Sequence, residues 1–271
     1  MNGLNIGLKV RNMILQPGRP KVAVPIVSTR PADIIEECEG LQHLPCDMVE
    51  WRADHYLSAI EDLDGYLSDM NGYLDMVKIL DDLNYIADDK PLIFTVRSSA
   101  QGGRVQITRQ QLESVYGIAA ETKLVDFIDI EMMDKDGNIH EEWLREQIDE
   151  AHKHGVKVIL SHHDYDMMPA PAKLVEMVKK MYMLGADICK VAAMAADKTD
   201  TENLLKATAF LTKNNIGPVV MIAMGTAGLA ARVAAGKYGS CITFASGKEQ
   251  SAPGQEDTHT MKKWLDSYYG A

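Results

Sequence analysis

KVILSHHD (Lys157–Asp164), AKLVEMVKKMYML (Ala172–Leu184) and ADICKVAAM (Ala186–Met194) follow one another in this chain, and how they are read decides the fold. The outer two are short apolar runs of the length of buried strands. The middle one carries Leu174, Val175, Val178 and Met181 at helical spacing, and Gly185 stands where such a helix would stop. Two buried strands joined through a helix run parallel.

The same alternation continues in both directions. Towards the N-terminus lie VAVPIVS (from Val22), DMVEWRAD (from Asp47), PLIFTVR (from Pro91) and FIDIEM (from Phe127); towards the C-terminus lie PVVMIAM (from Pro218) and CITFAS (from Cys241). Between the runs, Asp33–Cys38, Gln110–Thr122, Glu141–His154, Glu202–Lys213, Leu229–Ala235 and Asp257–Tyr268 also read as helices. Thr108 is a plausible N-cap, and Gly155 a second stop. Eight strand–helix units in 271 residues predict a (β/α)8 TIM barrel. A doubly wound open sheet would more often show a glycine-rich turn after its first strand, and Ser28-Thr29-Arg30-Pro31 is not one. The chain reads as a single domain, with a barrel over residues 22–271 and an N-terminal β-hairpin within residues 1–20. The LKVRNMIL run before Pro17-Gly18 predicts that this hairpin closes the barrel bottom. The acidic interval from Tyr56 to Lys90 reads as helix with a solvated face.

Charge and composition narrow the function. Lys and Arg number 28 and Asp and Glu 39, a net charge of −11, which excludes a general nucleic-acid binder. No run of about 18 apolar residues predicts a membrane span. The N-terminus lacks a signal-peptide pattern, so the expected location is cytoplasmic. Cys38, Cys46, Cys189 and Cys241 form no CxxC pair; they read as reduced thiols, and no metal is expected. Cys189 beside Lys190 reads as a buried thiol on the opposite strand face.

Charges occur where a core should be. Strand side chains alternate, so Glu50, Arg52 and Asp54 share a face, and in a barrel they would sit at the C-terminal mouth, where active sites lie. A salt-bridged plug is the alternative reading. Arg97 ends the third run, Asp129 and Glu131 lie two apart on the fourth, and Ser161-His162-His163-Asp164 ends the fifth. Lys190 interrupts the apolar sixth run, with Met194 on the same face. Burial favours a neutral, nucleophilic amine, and converging arginines would reinforce that. With a histidine one strand away, this predicts a Schiff-base lysine and a proton shuttle next to a carbonyl. A structural ion pair between Lys190 and a carboxylate of the fourth run stays open. The Gly/Pro-containing loop Gly247–Gln255 suits a lid or an anion site, and Arg232 could grip a carboxylate.

VEWRADH (from Val49), FTVRSS followed by Gly102-Gly103, SHHDY (from Ser161), ADICKVAAM (from Ala186), the Met224–Gly228–Arg232 stretch and QSAPGQ (from Gln250) together resemble the type I 3-dehydroquinate dehydratases. The resemblance covers nearly the whole chain. It implies that Lys190 forms an imine with the C3 ketone of 3-dehydroquinate. His163 then takes the C2 proton and returns it to the leaving C1 hydroxyl, a syn elimination that yields 3-dehydroshikimate. It further implies that Arg232, Ser251 and Gln255 hold the substrate carboxylate. Glu50, Arg52 and Arg97 would contact the ring hydroxyls or orient the histidine, and Met224 and Phe244 would form apolar walls. No cofactor is required, because the lysine supplies the electron sink. The family resemblance also implies a homodimer and a place in the shikimate pathway. His162 should face away from the cavity.

Two positions depart from the family pattern. Gln101 stands where many relatives carry glutamate before the double glycine, so this loop contact is a neutral amide and His163 is left as the main acid and base. Pro25 replaces a small polar residue and removes one minor ligand contact. A class I aldolase would bind a sugar phosphate, for which Arg232 and the SAPGQ loop are less suited. A non-catalytic sensor of a shikimate-type ligand would need neither Lys190 nor His163.

Overall fold

The computed structural model describes residues 7–270. An antiparallel hairpin, β1 (Leu8–Val10) and β2 (Met13–Leu15), comes first. Eight parallel strands follow: β3 (Lys21–Ile26), β4 (Met48–Arg52), β5 (Leu92–Thr95), β6 (Phe127–Glu131), β7 (Lys157–Asp164), β8 (Ile188–Met194), β9 (Val219–Met224) and β10 (Ile242–Phe244). They pair in chain order, with β10 beside β3. The remaining seam closes where the Cys241 N–H donates to the Val219 carbonyl at 2.9 Å. Helices α1 (Pro31–Leu41), α2 (Ala53–Leu57), α3 (Leu63–Ser68), α4 (Met70–Ala87), α5 (Arg109–Thr122), α6 (Glu141–Lys153), α7 (Pro171–Leu184), α8 (Lys198–Lys213), α9 (Leu229–Tyr238) and α10 (Thr258–Tyr269) lie between and after the strands. This is the expected (β/α)8 barrel.

Strand alternation sorts the side chains into two cores. Val49, Trp51, Phe94, Ile128, Leu160, Cys189 and Val191 point outward and pack with the apolar stripes of the helices. Ala23, Met48, Ile93, Phe127, Ile159, Ile188, Val220 and Ile242 point inward and fill the lower barrel. Val10 and Leu15 of the hairpin are buried in that same inner cluster, so the hairpin caps the barrel bottom, as expected. Arg11, at the hairpin turn, fastens it by donating to Asp126 at 3.1 Å, to Asn84 at 2.6 Å and to the Asp88 carbonyl. Residues 1–6 of the expected hairpin segment lie outside the described residues.

Two of the boundaries that differ from the sequence reading bear on the site. β4 ends at Arg52, and Asp54 belongs to the short helix α2, so Glu50, Arg52 and Asp54 do not share a strand face. The chain turns at Arg52 (φ −80°, ψ 74°), yet the Arg52 guanidinium still grips Asp54 with two hydrogen bonds of 2.7 and 2.9 Å. β5 ends at Thr95, so Arg97 sits two residues beyond the strand.

Candidate active site

On the inner face, the pattern that places Met48, Ile93, Phe127, Ile159 and Ile188 in the lower barrel places Glu50, Thr95, Asp129, Ser161 and Lys190 one layer higher. All five are buried. Charges at this depth are tolerated only if each is answered. Lys190 Nζ lies 3.0 Å from Asp129 and 3.6 Å from Glu50, and 4.4 Å from the centre of the Phe244 ring. Arg97 donates to Asp129 at 2.8 Å, to Glu131 at 3.0 Å and to Ser161 Oγ at 2.9 Å. Ser161 Oγ donates to Asp129 at 2.6 Å, and Thr95 Oγ1 to Glu50 at 2.8 Å.

Burial pushes the Asp129 carboxyl up, but Arg97 and Lys190 outweigh it and hold its pKa below the ordinary value. Burial opposes the Arg97 and Arg52 cations, and their carboxylate neighbours more than restore them. Arg52 and Arg97 do line one pocket with Lys190, as expected, and Arg97 shares Asp129 with it, but carboxylates stand beside the amine. The carboxylates of Asp129 and Glu50 pair with its nitrogen, because β4 and β6 each turn an acid inward at that level. Both the ion pair with the fourth run and the buried lysine of the Schiff-base reading are thus present in one geometry. Cys189 is buried on the outward face, with its thiol towards the Val178 carbonyl.

His163 ends the inward row of β7 and lines the same pocket; His162 does not. Burial, reinforced by Arg97, Lys190 and Arg52, holds the pKa of His163 well below the ordinary imidazole value, and its Nδ1 has no hydrogen-bond partner. The ring is therefore a neutral base at pH 7. Gln101 fixes the backbone beneath it: its Oε1 accepts from the His163 N–H at 2.8 Å, and its Nε2 donates to the Met133 carbonyl at 2.9 Å. The glycines after it are required by space. A Cβ on Gly103 would stand 1.8 Å from the Arg97 carbonyl, and one on Gly102, at φ +84°, would meet the Tyr165 hydroxyl at 2.2 Å.

The opposite wall comes from β9, α9 and the loop after β10. Arg232 is buried, and burial lowers its pKa to about 10 despite Glu256. It donates to the Pro253 carbonyl at 2.7 Å, while its Nε has no partner. Pro253 also accepts from Gly225, so the loop is docked onto the end of β9. Ser251 donates to Gln255 Oε1 through its N–H at 2.7 Å and its Oγ at 3.1 Å.

The structure places Glu50, Arg52, Arg97, Gln101, His163, Lys190, Met224, Arg232, Phe244, Ser251 and Gln255 around one pocket at the C-terminal mouth. Sequence reasoning did not single out Tyr165, Ala192, Ile222 and Ala252, which also line it. For Ala192 and Ile222, even spacing from Lys190 and from Met224 was the available signal; for Tyr165 and Ala252, in loops, there was none. Nor did it make Asp129 part of the site, although Asp129 shares the inner face with Glu131. The arrangement can do specific chemistry. An amine meets an electrophile, carboxylates beside it stabilise a cationic product, a neutral imidazole moves a proton, and an arginine with a spare N–H receives an anion.

Comparisons with known proteins identify the family. The family model described as type I 3-dehydroquinase matches residues 22–271. A protein of Alkaliphilus oremlandii named 3-dehydroquinate dehydratase is 37% identical over 257 residues, covering 94% of each chain. Its namesake in Bacillus licheniformis is 35% identical over 259 residues, covering 95% of this chain and 96% of that protein. The crystal structure of a type I 3-dehydroquinate dehydratase from Clostridium difficile, with covalently modified comenic acid, superposes with a TM-score of 0.85 at 31% identity, covering 97% of both chains.

Proposed function

The chain belongs to the type I 3-dehydroquinase family, and from that premise we propose that it dehydrates 3-dehydroquinate to 3-dehydroshikimate through a Schiff base on Lys190. The observation that carries the mechanism is a lysine buried on the inner face of the barrel, in one pocket with a neutral histidine. The Lys190 amine adds to the C3 ketone, water leaves, and a protonated imine forms at the nitrogen flanked by Asp129 and Glu50. Those carboxylates stabilise the iminium. His163 removes the C2 proton, and the electron pair of that bond flows into the iminium to give an enamine. The enamine expels the C1 hydroxyl, which leaves as water with the proton that His163 returns. Hydrolysis of the conjugated imine frees the product and restores the amine.

Arg232, with its unpartnered Nε, and Ser251 and Gln255 on the docked loop receive the substrate carboxylate. A net charge of −11 repels such an anion, so capture depends on these local donors. Arg52 and Arg97 meet the ring hydroxyls, Met224 and Phe244 wall the ring, and Gln101 keeps His163 in place. We place the reaction in the shikimate pathway of aromatic biosynthesis, in the cytoplasm, with the enzyme a homodimer.

Borohydride reduction in the presence of 3-dehydroquinate, followed by intact mass and peptide mapping, tests this reading. One adduct on Lys190 is expected, and none in Lys190→Ala. His163→Ala should still trap an imine yet turn over more slowly by a factor of roughly 10² or more. An adduct on another residue, or near-normal turnover of His163→Ala, would overturn the assignment. A folded protein that gives no adduct would return Lys190 to the role of a structural ion pair with Asp129.

A further inference from the structure

An amine attacks a ketone only without its ammonium proton, and two carboxylates lie beside Lys190 to receive it. Their surroundings differ. Asp129 Oδ2 is 3.0 Å from Nζ, but Oδ1 of the same carboxylate accepts from Arg97 at 2.8 Å and from Ser161 at 2.6 Å. A proton on Asp129 would take from the buried Arg97 part of the charge that answers it. Arg97 and Lys190 hold the Asp129 carboxyl below its ordinary pKa, so it serves as a fixed counter-ion. Glu50 Oε1 is 3.6 Å from Nζ and accepts from Thr95 Oγ1 at 2.8 Å. Among the described residues, Lys190 is the only cation that forms an ion pair with Glu50. Arg52 and Arg97 act on it only from further off. Once the proton has left Lys190, Glu50 has no other ion-pair partner to lose, whereas Asp129 still has Arg97. Glu50 also lines the pocket. His163 pairs in register with Ala192, one layer above Lys190.

We propose, on the Schiff-base reading, that Glu50 is a second catalytic acid and base, which carries the protons that make and break the imine on Lys190, while His163 serves C2 and the C1 hydroxyl. Glu50 takes a proton from the Lys190 ammonium, and the freed lone pair attacks C3. The carbonyl π electrons move to oxygen, and Glu50 returns its proton there. The carbinolamine nitrogen then carries two protons and a positive charge. Glu50 takes one of those protons and gives it to the hydroxyl. The nitrogen lone pair forms the C=N bond as the C–O bond breaks and water leaves. The product is the iminium, and Glu50 is again a carboxylate. Hydrolysis after the elimination runs the same transfers in reverse. The 3.6 Å separation is longer than a hydrogen bond, as catalytic contacts often are before substrate enters and tightens them.

The imine step is read alone with 3-dehydroshikimate, whose ketone condenses with Lys190 without any elimination. Borohydride quenching at timed intervals after mixing, followed by intact mass, gives the rate of imine formation. Dilution of the preformed imine before the quench gives the rate of hydrolysis. In Glu50→Gln both rates at saturating ligand should fall by a factor of roughly 10² or more. The fraction trapped at equilibrium should hold, because a proton carrier lowers the barrier in both directions. Glu50→Asp keeps the charge but withdraws it by one methylene. It should slow both rates to a lesser degree, and it carries the test if the glutamine variant does not fold. A Glu50 that only binds ligand would raise the half-saturating concentration and leave the maximal rates alone. One that only stabilises the iminium charge would lower the trapped fraction and speed hydrolysis. Either result, unchanged rates, or equal slowing of imine formation in His163→Ala would overturn the proposal. Absence of any adduct on Lys190 in the unaltered protein would instead overturn the Schiff-base reading, and this role of Glu50 with it.

Discussion

Gln101 touches two backbone groups, and both contacts depend on its being an amide. Oε1 faces an N–H and Nε2 faces a carbonyl. A glutamate there keeps the bond to His163, but it turns an oxygen towards the Met133 carbonyl and must bind a proton to restore that contact. Gln101→Glu should therefore add a second ionisation beside His163 and change turnover, read from the pH profile of kcat and kcat/KM; an unchanged rate and profile would refute the role given to the amide. On the proposed mechanism His163 is the group whose protonation stops catalysis. Its pKa lies well below 6.5, so kcat/KM should stay flat as the pH falls through 6.5 and decline only below it. A limb centred near 6.5 would mean that the base is a different, more exposed group. At this scale much was legible, because period-2 alternation identifies the inward face from sequence alone: Glu50, Asp129, His163 and Lys190 fall on it. What sits next to Lys190 was legible only in part, as an open ion pair with a carboxylate of the fourth run. The sequence shows which charges share the barrel interior, but not that Asp129 and Glu50 both come within 4 Å of the amine.

Elements were legible where they repeat a period and illegible where they are too short to have one. α5 announces itself through Thr108, and the structure adds Gln111 to complete a capping box, with hydrogen bonds of 3.2 and 2.8 Å. Thr108→Ala removes one of them and leaves an N–H of the first turn unsatisfied, so it should cost about 1 kcal/mol of stability by denaturant unfolding. A loss under about 0.3 kcal/mol would show that water replaces the cap. By contrast α2 has five residues, less than two turns, and no stripe could separate it from the strand before it. That is why Asp54 read as strand. The functional consequence is small, since Arg52 recovers Asp54 across the turn and the Arg104 N–H also donates to it at 3.0 Å. The loop Gly247–Gln255 read as a lid or anion site from its Gly, Ser and Pro content. Its docking could not be read, because it rests on Gly254 at φ +71°, where a Cβ would come 2.6 Å from the Gly225 carbonyl.

Taken as one molecule, the barrel is apolar at its base and charged at its mouth, and its response to acid follows from that layering. The base, sealed by Val10 and Leu15, supplies burial that does not vary with pH. The mouth holds carboxylates that must stay ionised and histidines that must stay neutral. Asp129 and Asp54 have folded pKa values below 3.8, so the unfolded chain takes up their protons first. The stability they contribute is complete above the unfolded value and is lost as the pH falls through the folded one. His163, His162 and His55 have folded values below 6.5. Between those values and 6.5 the unfolded chain is protonated and the folded chain is not, so these groups also lower stability as the pH falls. Both sets act in the same direction but in different windows. The thermal midpoint should begin to fall as the pH drops below about 6.5 and fall more steeply below about 4. His163→Asn should shrink the first stage. Asp129→Asn should shrink the second, at a cost of about 3–5 kcal/mol at neutral pH, because it leaves Lys190 and Arg97 short of a partner. A midpoint that rises between pH 7 and 5 would show that protonation of groups outside the mouth dominates, and would separate the stability of this barrel from the charges that carry its chemistry.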